Sequence, residues 1–326
     1  MIGLFYGTRP EYIKLLPLVE EFKKSSVEFV LYQVKQHTDL IDGCDFDIVI
    51  DISQKTENRL NSIFISILQY SFESLDYVLV QGDTSTAAAV AMNAFHQQIP
   101  VMHLEAGLRT FDKQNPYPEE VNRRIISSLA SIHYCPTGRD AEHLATEGFG
   151  SDQIFITGNT VLDSLRDIEP TRGNEVLITL HRRENHDKLE EWFAAIEKLA
   201  EKYPQYSFTF PMHPSPAVQK HKDIFSKVDV CDPIPFDDMK RRLASCALVI
   251  TDSGGIQEEC SFFKKVCLVC RKTTERPSDF GLLCLDPEAL SLNFDMYHGH
   301  EVTSKCPYGD GYAARKITKS ILTSVR

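Results

Sequence analysis

The sequence predicts an α/β protein made of two open, doubly wound parallel sheets. Three observations carry this expectation. Short apolar, β-branched runs alternate with longer amphipathic segments, as in repeated β-α-β units whose strands are covered on both faces. The chain has 326 residues, and its run of such units is too long for one sheet of usual size. The stretch DIEPTRGNE (167–175) gathers Pro, Gly, Thr and Asn, and a fresh strand follows it. It reads as the boundary between two Rossmann-like halves.

The elements follow in order. IGLFY is a strand, and EYIKLLPLVEEFKK after it has apolar residues at helical spacing. EFVLYQV and DIVID are strands, NRLNSIFISILQY is a helix, and YVLVQ, the alanine-rich TAAAVAMNAF and PVMHL continue the alternation. In the second half VLITL precedes LEEWFAAIEKLAEKY, SFTFPM precedes a polar helix, and ALVIT precedes IQEECSFF. A last helix after Tyr308-Gly309-Asp310-Gly311 is expected to pack back on the first half. The expected domains are therefore 1–168 and 169–305, with 306–326 as the returning helix.

Composition narrows the function. The formal net charge is −11 and no Lys/Arg-rich run occurs, which argues against nucleic acid as the main partner. No apolar stretch approaches the roughly 20 residues of a membrane span. MIGLFYGTRPEY lacks the basic start and cleavage site of a signal peptide, so a cytoplasmic protein with reduced thiols is expected for the nine scattered cysteines. Cys267 and Cys270 spell CxxC. Their context, VCLVC, reads as a buried strand whose positions i and i+3 face opposite sides, and no second pair completes a zinc set.

In open α/β sheets, ligands bind outside the carboxyl ends of the strands. Polar groups stand at those ends along the whole chain: Gly7-Thr8-Arg9-Pro10-Glu11, Gly82-Asp83-Thr84, Glu105 to Arg109, His181 to Asn185, His213-Pro214-Ser215, Asp252 to Gly255, and Arg271 to Arg276. Such a set suggests an active site in a cleft between the two domains. TDSGGIQEE (251–259) lies where a strand gives way to a helix. Free N–H groups and the positive dipole end make that turn an anion site, and glycine admits a phosphate closely. The alternative is a plain N-cap made by Asp252 or Ser253. His181, Arg182, Arg183, Arg9, Arg271 and Arg276 supply cations that favour the anion site. Asp83 and Glu105 are candidate acid/base groups, as are Glu119 and Glu120 in PYPEEVNRR. Asp83 could instead cap the following helix, and the glutamates could serve a helix N-terminus. The first strand is not followed by G-x-G-x-x-G, and no Walker GK[ST] occurs.

At these residues the sequence resembles the non-hydrolysing UDP-N-acetylglucosamine 2-epimerases. The matching segments are GTRPEYIK (7–14), QGDTST (81–86), HLEAGLRT (103–110), PYPEEVNRR (116–124), TLHRREN (179–185), TDSGGIQEE (251–259), RKTTERP (271–277) and CPYGDG (306–311). They stand in family order over nearly the whole chain. The resemblance implies a fold of the glycosyltransferase-B type, UDP held mainly by the second half, and C2 epimerisation of UDP-GlcNAc through 2-acetamidoglucal. It implies no cofactor, no obligatory metal and a homodimer. Carried over, Asp83, Glu105 and Glu119 are the acid/base carboxylates. His181 helps UDP leave, with Arg9 near the phosphates, and Ser253, Gly254 and Gly255 form the phosphate turn. Glu259 accepts the ribose hydroxyls, Arg271 faces the uridine side, and Lys14 and His213 complete the substrate site.

The chain also departs from the family. It is shorter between Gln36 and Leu79. The family's allosteric substrate site there uses a Gln-His-Arg-Glu/Gln pattern and an arginine in the following helix. Here Gln36-His37-Thr38-Asp39 stands instead, and NSIFISILQYSFESLD contains no arginine. Activation by a second UDP-GlcNAc molecule is therefore expected to be weakened or lost. RPSDFGLLCL replaces a longer loop on the uridine side, which bears on the sugar accepted.

Overall fold

The apolar runs become parallel strands in every pairing. The structure, a computed structural model, describes residues 1–35, 44–52, 58–276 and 281–324. The expectation at Gln36 to Asp39 lies outside the described residues, as do Pro277 to Phe280 within the RPSDFG segment.

The chain forms two compact units, Met1–Ser164 with Gly309–Arg326, and Leu165–Tyr308. The first contains β1 (Ile2–Tyr6), α1 (Arg9–Lys24), β2 (Phe29–Lys35), β3 (Ile48–Asp51), α2 (Arg59–Leu68), β4 (Tyr77–Gln81), α3 (Ser85–His96) and β5 (Val101–Leu104). It continues with α4 (Glu119–Leu129), β6 (Ile132–Cys135), α5 (Gly138–Thr146), β7 (Ile154–Ile156) and a 3-10 turn, Thr160–Ser164. The second contains β8 (Glu175–Thr179), α6 (Leu189–Lys202), β9 (Ser207–Pro211), α7 (Pro216–Gln219), β10 (Asp229–Cys231) and α8 (Phe236–Ser245). Then come β11 (Leu248–Thr251), α9 (Gly254–Phe262), β12 (Val266–Val269), β13 (Gly281–Leu283) and α10 (Pro287–Tyr297). The last helix, α11 (Ala313–Ser324), belongs to the first unit.

Among the described residues, the first sheet has the order β3-β2-β1-β4-β5-β6-β7, and the second β10-β9-β8-β11-β12-β13. Both reverse direction beside their first strand, the doubly wound pattern that opens a crevice at the carboxyl edge. Alternate residues of β1 enter opposite cores: Ile2, Leu4 and Tyr6 on one face, Phe5 on the other. The first face also holds Leu15, Leu18 and Phe22 of α1 and Ala314, Ile317 and Ile321 of α11. Burying each of those two isoleucines stabilises the unit by about 2 kcal/mol, which is why the C-terminus returns to it. The turn Thr160–Ser164 packs on α1 and α11. The division therefore falls after Ser164 and Tyr308, a few residues from the expected 168 and 305. The second unit closes around Trp192, Phe193 and Phe210.

Caps fix several helix starts. Thr8 and Thr84 cap α1 and α3 through their hydroxyls, and Thr137 with Asp140 forms a capping box on α5. Asp83 therefore does not cap α3. Asn58 caps α2 by accepting from Leu60 N at 2.9 Å. This puts Arg59, which precedes the arginine-free stretch 61–76, inside the helix as its first residue. Val266, Leu268 and Cys270 join one core, while Cys267 falls outside that cluster.

Candidate active site

In the first unit, the carboxyl edge gathers Gly7-Thr8, Gly82-Asp83-Thr84 and Glu105. Glu11 ties the first two loops together. Its buried carboxylate accepts from Gly7 N at 2.9 Å, Thr8 Oγ1 at 2.8 Å and Thr84 Oγ1 at 2.5 Å. Burial raises its pKa above the ordinary carboxylate range, against those hydrogen bonds. Arg9 lies beside this clamp, exposed at the first position of α1.

Glu105 follows β5 with φ 62°, a left-handed conformation that favours glycine. It is 8% exposed. Lys14 Nζ donates to its Oε2 at 2.5 Å, and Gln81 Nε2 donates to the same oxygen. Two residues on, Gly107 has φ +88°, and a Cβ there would lie 2.2 Å from the Asp140 carbonyl oxygen, so only glycine fits. Arg109 anchors the loop's far end, reaching Glu147 through two bonds of 2.7 Å. That guanidinium holds the Glu147 carboxyl below its usual range.

Asp83 receives Arg123 Nε at 2.8 Å, and its carbonyl accepts from Asn122 Nδ2 at 2.9 Å. The two neighbouring glutamates separate sharply. Glu120 is fully buried and accepts from Thr110 N, Phe111 N and Arg123. It is structural. Glu119 starts α4 and is half-buried. His103 Nε2 donates to the Gly82 carbonyl at 2.8 Å, which only accepts. Burial pushes this imidazole's pKa down to about 4, and that of its cross-strand neighbour His133 to about 3.

In the second unit, Asp252 answers what an aspartate does in TDSGG. Completely buried, it accepts from His181 N at 3.0 Å, Arg182 N at 2.8 Å and Asn185 Nδ2 at 3.0 Å. It thereby staples the loop after β8 to the end of β11 and is no N-cap. His181 stacks on His213 with ring centroids 5.2 Å apart and planes at 15°. Burial lowers the His181 pKa, opposed by Asp252 and aided by His213. His213 Nδ1 accepts from Ser215 N at 3.1 Å.

Ser253 precedes α9 without making a side-chain cap, so the helix start is not closed by its own hydroxyl. The two glycines differ. A Cβ on Gly254 would meet the Arg276 guanidinium at 2.6 Å, whereas one on Gly255 would meet nothing within 4 Å. Packing explains the first glycine, and only open space lies beside the second. Glu259 is buried in the same helix.

Two of the expected cations have other employment. Arg271 is 1% exposed and reaches Glu184 at 2.8 Å and Glu275 at 3.1 Å. Arg276 reaches Glu258 at 2.5 Å and also Glu275. Both are desolvated and neutralised by partners, so the cation set read from sequence overstates the free positive charge. Glu11, Gln81, Arg123 and Asn185 were not singled out from sequence, although each stands inside a quoted motif.

A family model described as UDP-N-acetylglucosamine 2-epimerase matches residues 28–322. UDP-N-acetylglucosamine 2-epimerase of Campylobacter jejuni is 36% identical over 374 residues, covering 98% of this chain and 97% of that protein. The Bacillus subtilis (strain 168) protein of the same name is 35% identical over 356 residues, covering 97% and 93%. The crystal structure of UDP-GlcNAc 2-epimerase from Neisseria meningitidis bound to UDP-GlcNAc superposes with a TM-score of 0.88 at 30% identity, covering 99% of this chain and 100% of that one. The fold and these likenesses agree along the chain's length, and the chain belongs to the UDP-N-acetylglucosamine 2-epimerase family of isomerases.

Proposed function

We propose that the chain interconverts UDP-GlcNAc and UDP-ManNAc by inversion at C2 without releasing free sugar. Family membership supports the reaction class, and a similar protein from Neisseria meningitidis is known bound to UDP-GlcNAc. The observation that carries the mechanism is Glu105, whose Oε2 takes hydrogen bonds from both Lys14 and Gln81. Two donors on one oxygen hold the carboxylate in a fixed orientation, which suits a group that must meet the C2 proton at a defined place.

A carboxylate takes the C2 proton as the C1–O bond to UDP breaks, leaving 2-acetamidoglucal, UDP and the protonated base. A carboxylic acid returns a proton to the other face of C2, and a β-phosphate oxygen of UDP re-forms the bond to C1. Asp83, Glu105 and Glu119 are assigned to these transfers, with Lys14 positioning Glu105. Negative charge grows on the diphosphate as it leaves. Arg9, His181 and the turn Ser253-Gly254-Gly255 stabilise it, as helix N-termini do for phosphates. His213 orients His181 by stacking on it. Glu259 takes the ribose hydroxyls. Arg271, buried against Glu184 and Glu275, serves the uridine side by positioning rather than by contact.

The test is an NMR time course with UDP-GlcNAc in D2O. UDP-ManNAc carrying deuterium at C2, with little free UDP, is the expected result. Free ManNAc plus UDP would assign the chain to hydrolysing epimerases. Neither exchange nor product would refute UDP-GlcNAc as the substrate.

A further inference from the structure

Beside Glu105 lies a cavity of about 10 Å³, walled by Gln81, Glu105, Tyr134, Asn159, Thr160 and Ile317 among others. That volume suits one water molecule and no organic group. Gln81 is 1% exposed, and its Nε2 donates to Glu105. An ionised carboxylate only accepts, so this bond fixes which end of the amide is which. The other end, Gln81 Oε1, is buried and has no hydrogen-bond partner among the described residues; Tyr134 Oη has the Ser320 hydroxyl beside it as a donor, which leaves the phenol's own O–H to donate. Buried polar atoms are met by protein or by ordered water in native folds. One orphaned carbonyl oxygen and one phenol with an O–H to give, among the walls of one small polar cavity, make a set of partners that a water requires.

We propose that this cavity is a resident water site and that Gln81 couples its water to the Glu105 carboxylate. The water donates to Gln81 Oε1 and accepts from Tyr134 Oη, while the amide's other end donates to Glu105 Oε2. An amide whose carbonyl accepts from a water donates more strongly through its N–H, so Gln81 is a positioning residue for Glu105 alongside Lys14. The consequence for catalysis rests on the reading of Glu105 as an acid/base group. The water site itself does not.

A crystal structure of the full wild-type chain that resolves single waters tests the site. One water is expected within about 3 Å of both Gln81 Oε1 and Tyr134 Oη. A dry cavity, or a protein group bonded to Gln81 Oε1, overturns the proposal. The positioning role is tested by Gln81→Met, which keeps the length and removes both polar atoms. Its kcat should fall by about tenfold or more, with KM for the sugar nucleotide within about twofold. Unchanged kcat in a folded Gln81→Met protein overturns the coupling to Glu105. Tyr134→Phe leaves the Gln81–Glu105 bond intact and should lower the water's occupancy with a smaller loss of kcat; full occupancy in that variant removes Tyr134 from the site. A wild-type chain that shows the water but exchanges no C2 proton supports the site and refutes the epimerase reading, so the two fail separately.

Discussion

The paired glycines at the start of α9 allow stability and ligand binding to be separated by one methyl group each. Gly254→Ala would put a Cβ 2.6 Å from Arg276 Nη1. A free arginine would swing aside, but this one is pinned by Glu258 and Glu275. Overpacking of this kind costs about 1–3 kcal/mol, and the better helix propensity of alanine returns about 1 kcal/mol at most. A net loss of up to about 2 kcal/mol is expected in urea denaturation. Gly255→Ala meets nothing within 4 Å, so the same propensity makes the fold equal or more stable by about 0.5–1 kcal/mol. Its methyl group would instead stand where the diphosphate approaches the helix N-terminus. Losing one charge-assisted bond there, about 1.5–3 kcal/mol, raises the Kd for UDP by about tenfold to a hundredfold. Isothermal titration with UDP reads the binding. A Gly255→Ala protein that binds UDP as wild type does would refute the assignment of this turn to the diphosphate, and a stabilised Gly254→Ala protein would refute the packing argument.

Three further outcomes follow from the geometry. His103 and His133 have folded-state pKa values of about 4 and about 3, below the value of about 6.5 for an unfolded histidine. Between those limits the unfolded chain binds more protons, so stability is complete above pH about 6.5 and falls as the pH drops, by about 1.4 kcal/mol per pH unit for each group. His133→Leu should flatten this slope between pH 6.5 and 5, and a slope equal to wild type would exclude His133 as its source. Arg271→Leu leaves the buried Glu275 without one of its partners and should destabilise by about 3–5 kcal/mol; a loss under about 1 kcal/mol in denaturant titration would contradict the pairing. Glu11→Ala removes the shared acceptor of Gly7 N, Thr8 and Thr84. It should lower kcat/KM by at least about tenfold, and steady-state kinetics at wild-type level would show that the two loops hold their places without it.

Local pattern was enough to find most of the elements, because burial on both faces writes each long parallel strand as an apolar run. It missed β6, β7, β10 and β13, each of three or four residues and too short for a clear period to emerge. The motifs likewise pointed to the strand ends but not to the division of labour within them. Asp252 was open to reading as a cap because its partners, His181 and Asn185, lie 71 and 67 residues away. Glu119 and Glu120 are adjacent and chemically identical in sequence. Only the placing of α4 against the loop after β5 decides which of the two is buried against Thr110, Phe111 and Arg123. Arg271 and Arg276 looked like free cations for the same reason: their neutralising acids Glu184 and Glu258 are set beside them by the tertiary fold.

The left-handed backbone at Glu105 has an evolutionary reading. A residue with a Cβ in that conformation costs about 1 kcal/mol or more relative to glycine. Selection for thermal tolerance alone would therefore drift position 105 toward glycine, or toward asparagine as the next most tolerant side chain. A library sorted first for folded yield and then for turnover should enrich opposite residues at this one codon, and the gap between the two pools would measure how much robustness the enzyme gives up to keep its carboxylate there.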